Sequence, residues 1–134
     1  MKRISFLIIL FVCYSCHGPD IERHVKGKYS LVAIDASYQL SLTFQDSPFD
    51  HTYAIIIPYT VFAVGYNEKY IIAKQHFENI KNIINYYVVP IKSEYTDTTK
   101  VRLIGPLSLE EFEQKKKELN LENVNFSIVY KNLE

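Results

Sequence analysis

The chain has 134 residues with 15 basic and 15 acidic side chains, so a positively charged surface for nucleic acid is not expected. It contains two cysteines and no tryptophan, and its 11 tyrosines are the one compositional excess. This length is enough for one hydrophobic core and too short for two domains.

The first segment of the chain has the order of a secretion signal. A basic N-terminus precedes the mostly apolar run Ile4 to Val12, and small and polar residues follow. Nine residues in a helix span about 14 Å, whereas the core of a bilayer is about 30 Å thick. The run is therefore too short for a transmembrane helix, and we predict a cleaved signal peptide over residues 1–15.

The junction Cys13-Tyr14-Ser15-Cys16 resembles the lipobox of bacterial lipoproteins, in which a small residue precedes the cysteine that receives diacylglycerol. Ser15 fits this pattern, whereas Tyr14 and Cys13 depart from it. The resemblance implies lipidation of Cys16; the alternative is an ordinary cleaved signal peptide. Each buried methylene adds about 0.8 kcal/mol, so acyl chains such as palmitate would anchor the protein in the inner or outer membrane.

Both cysteines lie at this junction, and the resemblance implies that Cys13 is removed and Cys16 acylated. The mature domain would then have no free thiol, which excludes a disulfide, a thiolate metal site and a cysteine nucleophile. Loss of the leader leaves 13 basic and 15 acidic residues. The lipidated cysteine and a flexible tether are predicted over residues 16–26, which lack an apolar period, and a single globular domain over residues 27–134.

Most of this domain has the two-residue period of strands with one solvated face. The clearest example is Tyr38 to Phe44, which is predicted to form a hairpin with Lys28 to Ile34. A loop or short turn is predicted before the strand that ends at Ile91. Further strands are predicted over residues 53–57, 61–65, 70–74, 101–104 and 126–130.

One helix is clearly indicated near the C-terminus. Ser108 is a suitable N-cap, and Glu111 three residues later completes a capping box. Phe112 belongs to an apolar stripe, and Asn120 can end the helix. The predicted fold class is therefore α+β, with a mostly antiparallel β-sheet of about six to eight short strands and one C-terminal helix packed on it.

No motif of a catalytic class occurs in the chain: the nucleophile elbow, the phosphate loop and the dinucleotide fingerprint are all missing. The loop from Asp46 to His51 contains the residue types of a nucleophile and its base, although serine and aspartate are also ordinary turn residues. A zinc site formed by Asp50, His51 and His76 is a further hypothesis, against solvated loop histidines. We predict no catalytic residue, no metal and no cofactor.

A possible binding surface is suggested by the tyrosines. A ring on the solvated face of a strand, such as Tyr87, could join Lys74, Gln75 and His76 at the end of a neighbouring strand and contact a peptide or glycan. The alternative is that tyrosine simply fits half-buried sheets.

Three segments of the C-terminal half resemble a family of short bacterial lipoproteins, common in Bacteroidetes, that is classed as a domain of unknown function. They are TVFAVGYNEKYIIAKQH (residues 60–76), NYYVVPI (residues 85–91) and GPLSLEEF (residues 105–112). The resemblance implies an envelope lipoprotein and supports a strand at residues 85–91, and it implies no activity.

The leading hypothesis is thus a membrane-anchored, non-catalytic binding or interaction module of the bacterial cell envelope, with an envelope protein or a glycan as partner. The alternatives are a small envelope hydrolase that uses the Asp46–His51 loop and a purely structural envelope protein.

Overall fold

The computed structural model describes residues 21–49, 52–95 and 100–134, which form two antiparallel sheets and one α-helix. The elements are β1 (Ile21–Lys26), β2 (Tyr29–Ala33), β3 (Ser41–Gln45), β4 (Tyr53–Ile57), β5 (Val61–Tyr66), β6 (Tyr70–Gln75), β7 (Asn85–Pro90), β8 (Ile104–Leu107), α1 (Leu109–Glu118) and β9 (Ile128–Val129). Sheet 1 has the order β1-β2-β3-β4, and sheet 2 has the order β8-β7-β6-β5-β9. The predicted α+β class is confirmed, with nine strands in two sheets in the described part of the chain.

Strand β1 corrects the predicted tether. Its residues pair antiparallel with β2, from Ile21 opposite Ala33 to Lys26 opposite Tyr29, and Val25 is buried. Strand β1 lies at the edge of sheet 1, where a strand can be mostly polar. Its sequence therefore lacks the apolar alternation by which a strand is recognised. The first part of the predicted tether, with Cys16, lies outside the described residues.

The main core lies between the inner faces of the two sheets. Leu42 and Phe44 of β3 share one buried cluster with Val64 of β5 and Val89 of β7. Two sheets that pack face to face in this way enclose one core between them. A second cluster lies under α1, where the rings of Phe112 and Tyr86 stack with centroids 4.8 Å apart.

The predicted hairpins are confirmed. Strand β2 pairs with β3, and β5 pairs with β6 through the turn at Asn67. The side-chain oxygen of Asn67 accepts hydrogen bonds from the backbone N–H groups of Lys69 and Tyr70, both at 2.8 Å. The Asn67 side chain thus supplies the hydrogen-bond acceptor for two N–H groups of the turn, so the turn forms without a glycine after Asn67.

The strand predicted over residues 101–104 is displaced. Strand β8 instead covers Ile104–Leu107 and includes Pro106. A proline is accepted here because β8 is the edge strand of sheet 2, where one side of the strand needs no N–H donor. The last strand is also shorter than the predicted 126–130, because only Ile128–Val129 pair with β5.

The capping box of α1 is confirmed. The Ser108 hydroxyl accepts from the Glu111 N–H at 3.2 Å, and the Glu111 carboxylate accepts from the Ser108 N–H at 2.7 Å. These bonds lower the pKa of the Glu111 carboxyl. Asn120 follows the helix with a φ of 56°, a left-handed conformation that asparagine tolerates. Among the described residues, no helix is long and apolar enough to cross a membrane.

Gly65 of β5 lies where the segment after α1 crosses sheet 2, and a Cβ there would overlap the Asn125 carbonyl. We expect Gly65→Ala to lower the free energy of unfolding by about 2–3 kcal/mol, because the close approach leaves no room for a methyl group. Urea unfolding followed by far-ultraviolet circular dichroism measures this loss.

Gly27→Ala is the matched control, since its Cβ would meet no atom within 4 Å and only its φ of 57° disfavours alanine. We expect a loss of about 1 kcal/mol there. Equal losses in the two variants would contradict the close approach at Gly65.

Candidate functional site

An apolar groove of about 440 Å³ opens beside the end of β6. None of its lining residues is charged, and only two carry polar side chains. We call this site the apolar groove; its lining residues are Pro58, Phe77, Ile80, Ile83, Asn85, Tyr87 and Pro106.

A larger hollow of about 660 Å³ lies on the exposed side of α1. Six of its eight lining residues are charged, including Glu113 and Lys117. This composition is typical of the solvated face of an amphipathic helix, so the hollow is a poor candidate for recognition of an apolar group.

The loop between β6 and β7 supplies one wall of the apolar groove. Phe77, Ile80 and Ile83 are 46%, 46% and 52% exposed, although all three are large apolar residues. A cluster of exposed apolar side chains of this kind marks interaction sites more often than plain surface. Glu78 and Asn79 turn the loop with φ angles of 50° and 62°, a left-handed conformation that is uncommon for residues other than glycine.

The buried side chain of His76 is hydrogen-bonded to this loop. Its ring is 2% exposed and stacks on Phe62 at a centroid distance of 4.3 Å. Nδ1 lies 2.9 Å from the Ile83 carbonyl oxygen. Because a carbonyl can only accept, Nδ1 carries the proton and donates it to that oxygen. The loop is fastened at a second point, where the Glu78 N–H donates to the Tyr59 carbonyl at 3.1 Å.

Gln75 joins the two sides of the apolar groove beneath its floor. The fully buried amide donates from Nε2 to the Pro58 carbonyl at 2.7 Å. Its Oε1 accepts from the Tyr87 hydroxyl at 2.9 Å and from the Asn85 amide at 3.2 Å. Each buried polar atom therefore has a partner, as a stable core requires. Burial raises the pKa of the Tyr87 hydroxyl, and a hydrogen bond with Asn85 opposes this effect.

Gly105 of β8 packs against Tyr87, which lines the groove. Its φ of 137° disfavours other residues, and a Cβ would lie 2.6 Å from Cδ1 of Tyr87. The ring of Tyr87 thus packs directly on the backbone of β8, which holds the ring in place beside Pro106.

The four residues predicted as a binding surface have different positions from those expected. Gln75, His76 and Tyr87 are at most 5% exposed, so the expectation of an exposed surface is wrong for these three. Gln75 and His76 lie under the groove and Tyr87 forms part of its lining. Gln75 and Tyr87 are buried because β6 and β7 are central strands of sheet 2, and His76 directly follows β6. Lys74 is half-buried, with Nζ 4.6 Å above the ring of Phe126. The region was predicted, but the side chains that face solvent were not.

The apolar residues of the groove were missed by sequence reasoning. Ile80, Ile83 and Ile84 have helical spacing without a helix, so they fit neither strand nor helix patterns. An apolar cluster with no regular secondary structure to bury it was the signal that could have indicated a binding site.

The loop proposed for hydrolysis is only partly described. Asp46 accepts from the Thr52 hydroxyl at 3.2 Å, and the Ser47 hydroxyl accepts from the Phe49 N–H at the same distance. These are the roles of turn residues. Asp50 and His51 lie outside the described residues, and with them the predicted nucleophile–base pair and zinc site. Within the described ranges, no three side chains of His, Cys, Asp or Glu are grouped for a metal.

A family model with the description Protein of unknown function (DUF3997) matches residues 26–131. The chain belongs to this family. The predicted membership in a family of unknown function is thereby confirmed, and the match covers all the residues of the apolar groove. No curated protein and no solved structure matches the chain.

The hydrogen bond between Gln75 and Tyr87 can be tested by a double-mutant cycle. Gln75→Met keeps the length of the side chain but leaves the Pro58 carbonyl, the Tyr87 hydroxyl and the Asn85 amide unpaired, so we expect a loss of about 3 kcal/mol. Tyr87→Phe alone should lose about 1 kcal/mol. The double variant should lose less than the two single variants together, because it has no unpaired hydroxyl.

Urea unfolding of the four proteins measures the coupling. Tyr86→Phe is the matched control, since adjacent residues of a strand point to opposite faces and Tyr86 packs on Phe112 instead. Its effect should add to that of Gln75→Met. Additive losses for Gln75 and Tyr87 as well would rule out the bond.

Proposed function

We propose that this protein is a lipid-anchored, non-catalytic binding module of a bacterial cell envelope, and that the apolar groove receives a large apolar side chain from a partner protein. The observation that carries the proposal is the exposed apolar wall of Phe77, Ile80 and Ile83 over a fully hydrogen-bonded floor. Exposure of these three side chains to water does not stabilise the fold, whereas recognition of an apolar group requires apolar side chains that are exposed.

The lining favours a protein over a glycan as the partner. Asn85 and Tyr87 are the only polar side chains of the groove, and both donate to Gln75. Few side-chain donors are left for the many hydroxyls of a sugar, whereas an aliphatic or aromatic side chain needs none. A volume of about 440 Å³ lies within the range of about 300–1,000 Å³ that is usual for specific binding pockets.

The proposed anchor is supported by the leader and by Ser15 before Cys16. Strand β1 begins at Ile21, only five positions after Cys16. A binding module held so close to a membrane would present its groove to partners in that membrane or next to it.

Lipidation can be tested by the intact mass of protein extracted from membranes. We expect a chain that begins at Cys16 and carries the added mass of diacylglycerol, because Cys16 alone has the required small neighbour. Cys16→Ser should release the protein into the soluble fraction. An unmodified N-terminus after Cys16 would disprove the anchor and leave the groove proposal standing.

Recognition in the groove can be tested in the producing cell with the full-length chain. A photoreactive p-benzoylphenylalanine in place of Ile83 should form an adduct with one partner protein, because this side chain is 52% exposed and lines the groove. The adduct should disappear when Phe77→Asp is added, since a carboxylate disfavours an apolar ligand.

Leu109 provides the matched control, because it is 56% exposed but does not line the groove. The same photoreactive residue there should not capture this partner. Equal capture at Ile83 and Leu109, or capture that Phe77→Asp does not reduce, would argue against the groove as the binding site.

A further inference from the structure

A second surface with exposed apolar side chains lies on the outer face of sheet 1. Ile34 and Ile55 are 65% and 62% exposed and line, with Tyr59, a hollow of about 250 Å³. The lining also includes the uncharged polar residues Gln39, Ser41 and Thr43, and it has no charged residue. The ring of Tyr38 is 43% exposed and meets that of Tyr59 edge to face, with centroids 6.2 Å apart. We call Ile34, Tyr38, Ile55 and Tyr59 the sheet 1 patch.

The hollow has a defined shape because sheet 1 curls around it. The Tyr53 hydroxyl on β4 lies 2.6 Å from a carboxylate oxygen of Glu22 on β1. These are the two edge strands of a four-stranded sheet, about 14 Å apart if the sheet were flat. The bond also places the Glu22 carboxylate against a phenol, and it raises the pKa of Tyr53.

The N-terminal end of the described chain lies next to this patch. Ile21, the first residue of β1, pairs with Ala33, whose neighbour is Ile34. With only four residues between them, the Cα atoms of Cys16 and Ile21 can lie at most about 18 Å apart. An acylated Cys16 would therefore keep Ile34 within a short distance of the lipid.

We infer that the sheet 1 patch rests on the lipid bilayer to which Cys16 is anchored; this inference depends on the anchor proposed above. So short a connection limits the orientation of sheet 1, and Ile34 lies at the end of the sheet where the connection begins. Ile55 lies further along the sheet, on the opposite edge strand β4. Ile34 and Ile55 enter the outer edge of the acyl region, where their burial is favourable. Tyr38 and Tyr59 suit the headgroup level, because their rings are apolar and their hydroxyls are polar.

Asp35 limits the depth of this contact. It is exposed and adjacent to Ile34, and a carboxylate does not enter the acyl region without a large desolvation penalty. The patch therefore lies in the interface rather than in the hydrocarbon core.

The lack of tryptophan in the chain makes the test direct, because a single introduced tryptophan is the only one. Full-length lipidated Ile34→Trp and Ile55→Trp are reconstituted into vesicles of phosphatidylethanolamine and phosphatidylglycerol, with and without brominated acyl chains. Both positions are largely exposed, so the substitution does not disturb the core. Leu109→Trp, on the helix that packs against sheet 2, is the control.

We expect the brominated lipid to quench the emission of Ile34→Trp and Ile55→Trp at least twofold more than that of Leu109→Trp. Equal quenching in the three proteins, with Cys16 acylated by intact mass, would overturn the inference and leave the anchor intact. An unmodified Cys16 would overturn both. Emission that is blue-shifted without quenching, and that returns to the red on dilution in lipid, would mean that a second copy covers the patch, which also overturns the inference.

Discussion

The buried amide of Gln75 is the interaction on which the candidate site depends. Its single side chain bonds the link between β4 and β5 through the Pro58 carbonyl, and β7 through Tyr87 and Asn85. An amide without partners in this position would cost several kcal/mol, so the three contacts must form together. Gln75 thereby links the chain segments on the two sides of the groove on their buried side. Their solvent-facing side carries the apolar residues.

His76, the next residue, continues the same arrangement on the other side of the backbone. Consecutive side chains point in opposite directions from an extended chain, so the ring of His76 reaches Phe62 and Ile83 rather than Tyr87. The loop that follows is fastened at both ends, while Ile80 between them stays exposed. A loop fixed in this way pays little entropy on binding, which is the advantage of a preformed site.

The sequence predicted those parts of the fold that depend on local patterns. The alternation in β3, the turn at Asn67 and the capping box of Ser108 and Glu111 are determined by neighbouring residues, and all three are confirmed. Strand β1 was missed because an edge strand can be polar on both faces, and only its pairing partner identifies it.

The candidate site was only half predicted, for a related reason. Gln75, His76 and Tyr87 were predicted as part of a possible exposed binding surface, whereas the hydrogen bonds of Gln75 to Pro58 and of His76 to Ile83 make burial possible. Such partners lie far apart in the chain and carry no signal in the local pattern. The exposed isoleucines lie in a segment that was predicted only as a loop or short turn, and an apolar residue type alone does not show whether its side chain faces solvent.

The apolar groove and the sheet 1 patch are connected through two adjacent residues. Pro58 lines the groove, and Tyr59 lines the hollow of the patch. The Tyr59 carbonyl also accepts from Glu78 of the groove loop, and the Thr60 hydroxyl donates to the Tyr38 carbonyl at 2.5 Å. If the patch rests on the bilayer, the groove must open near the membrane surface, because one short segment belongs to both. The partner's apolar side chain would then approach from a position close to the lipid, as a membrane-bound partner could.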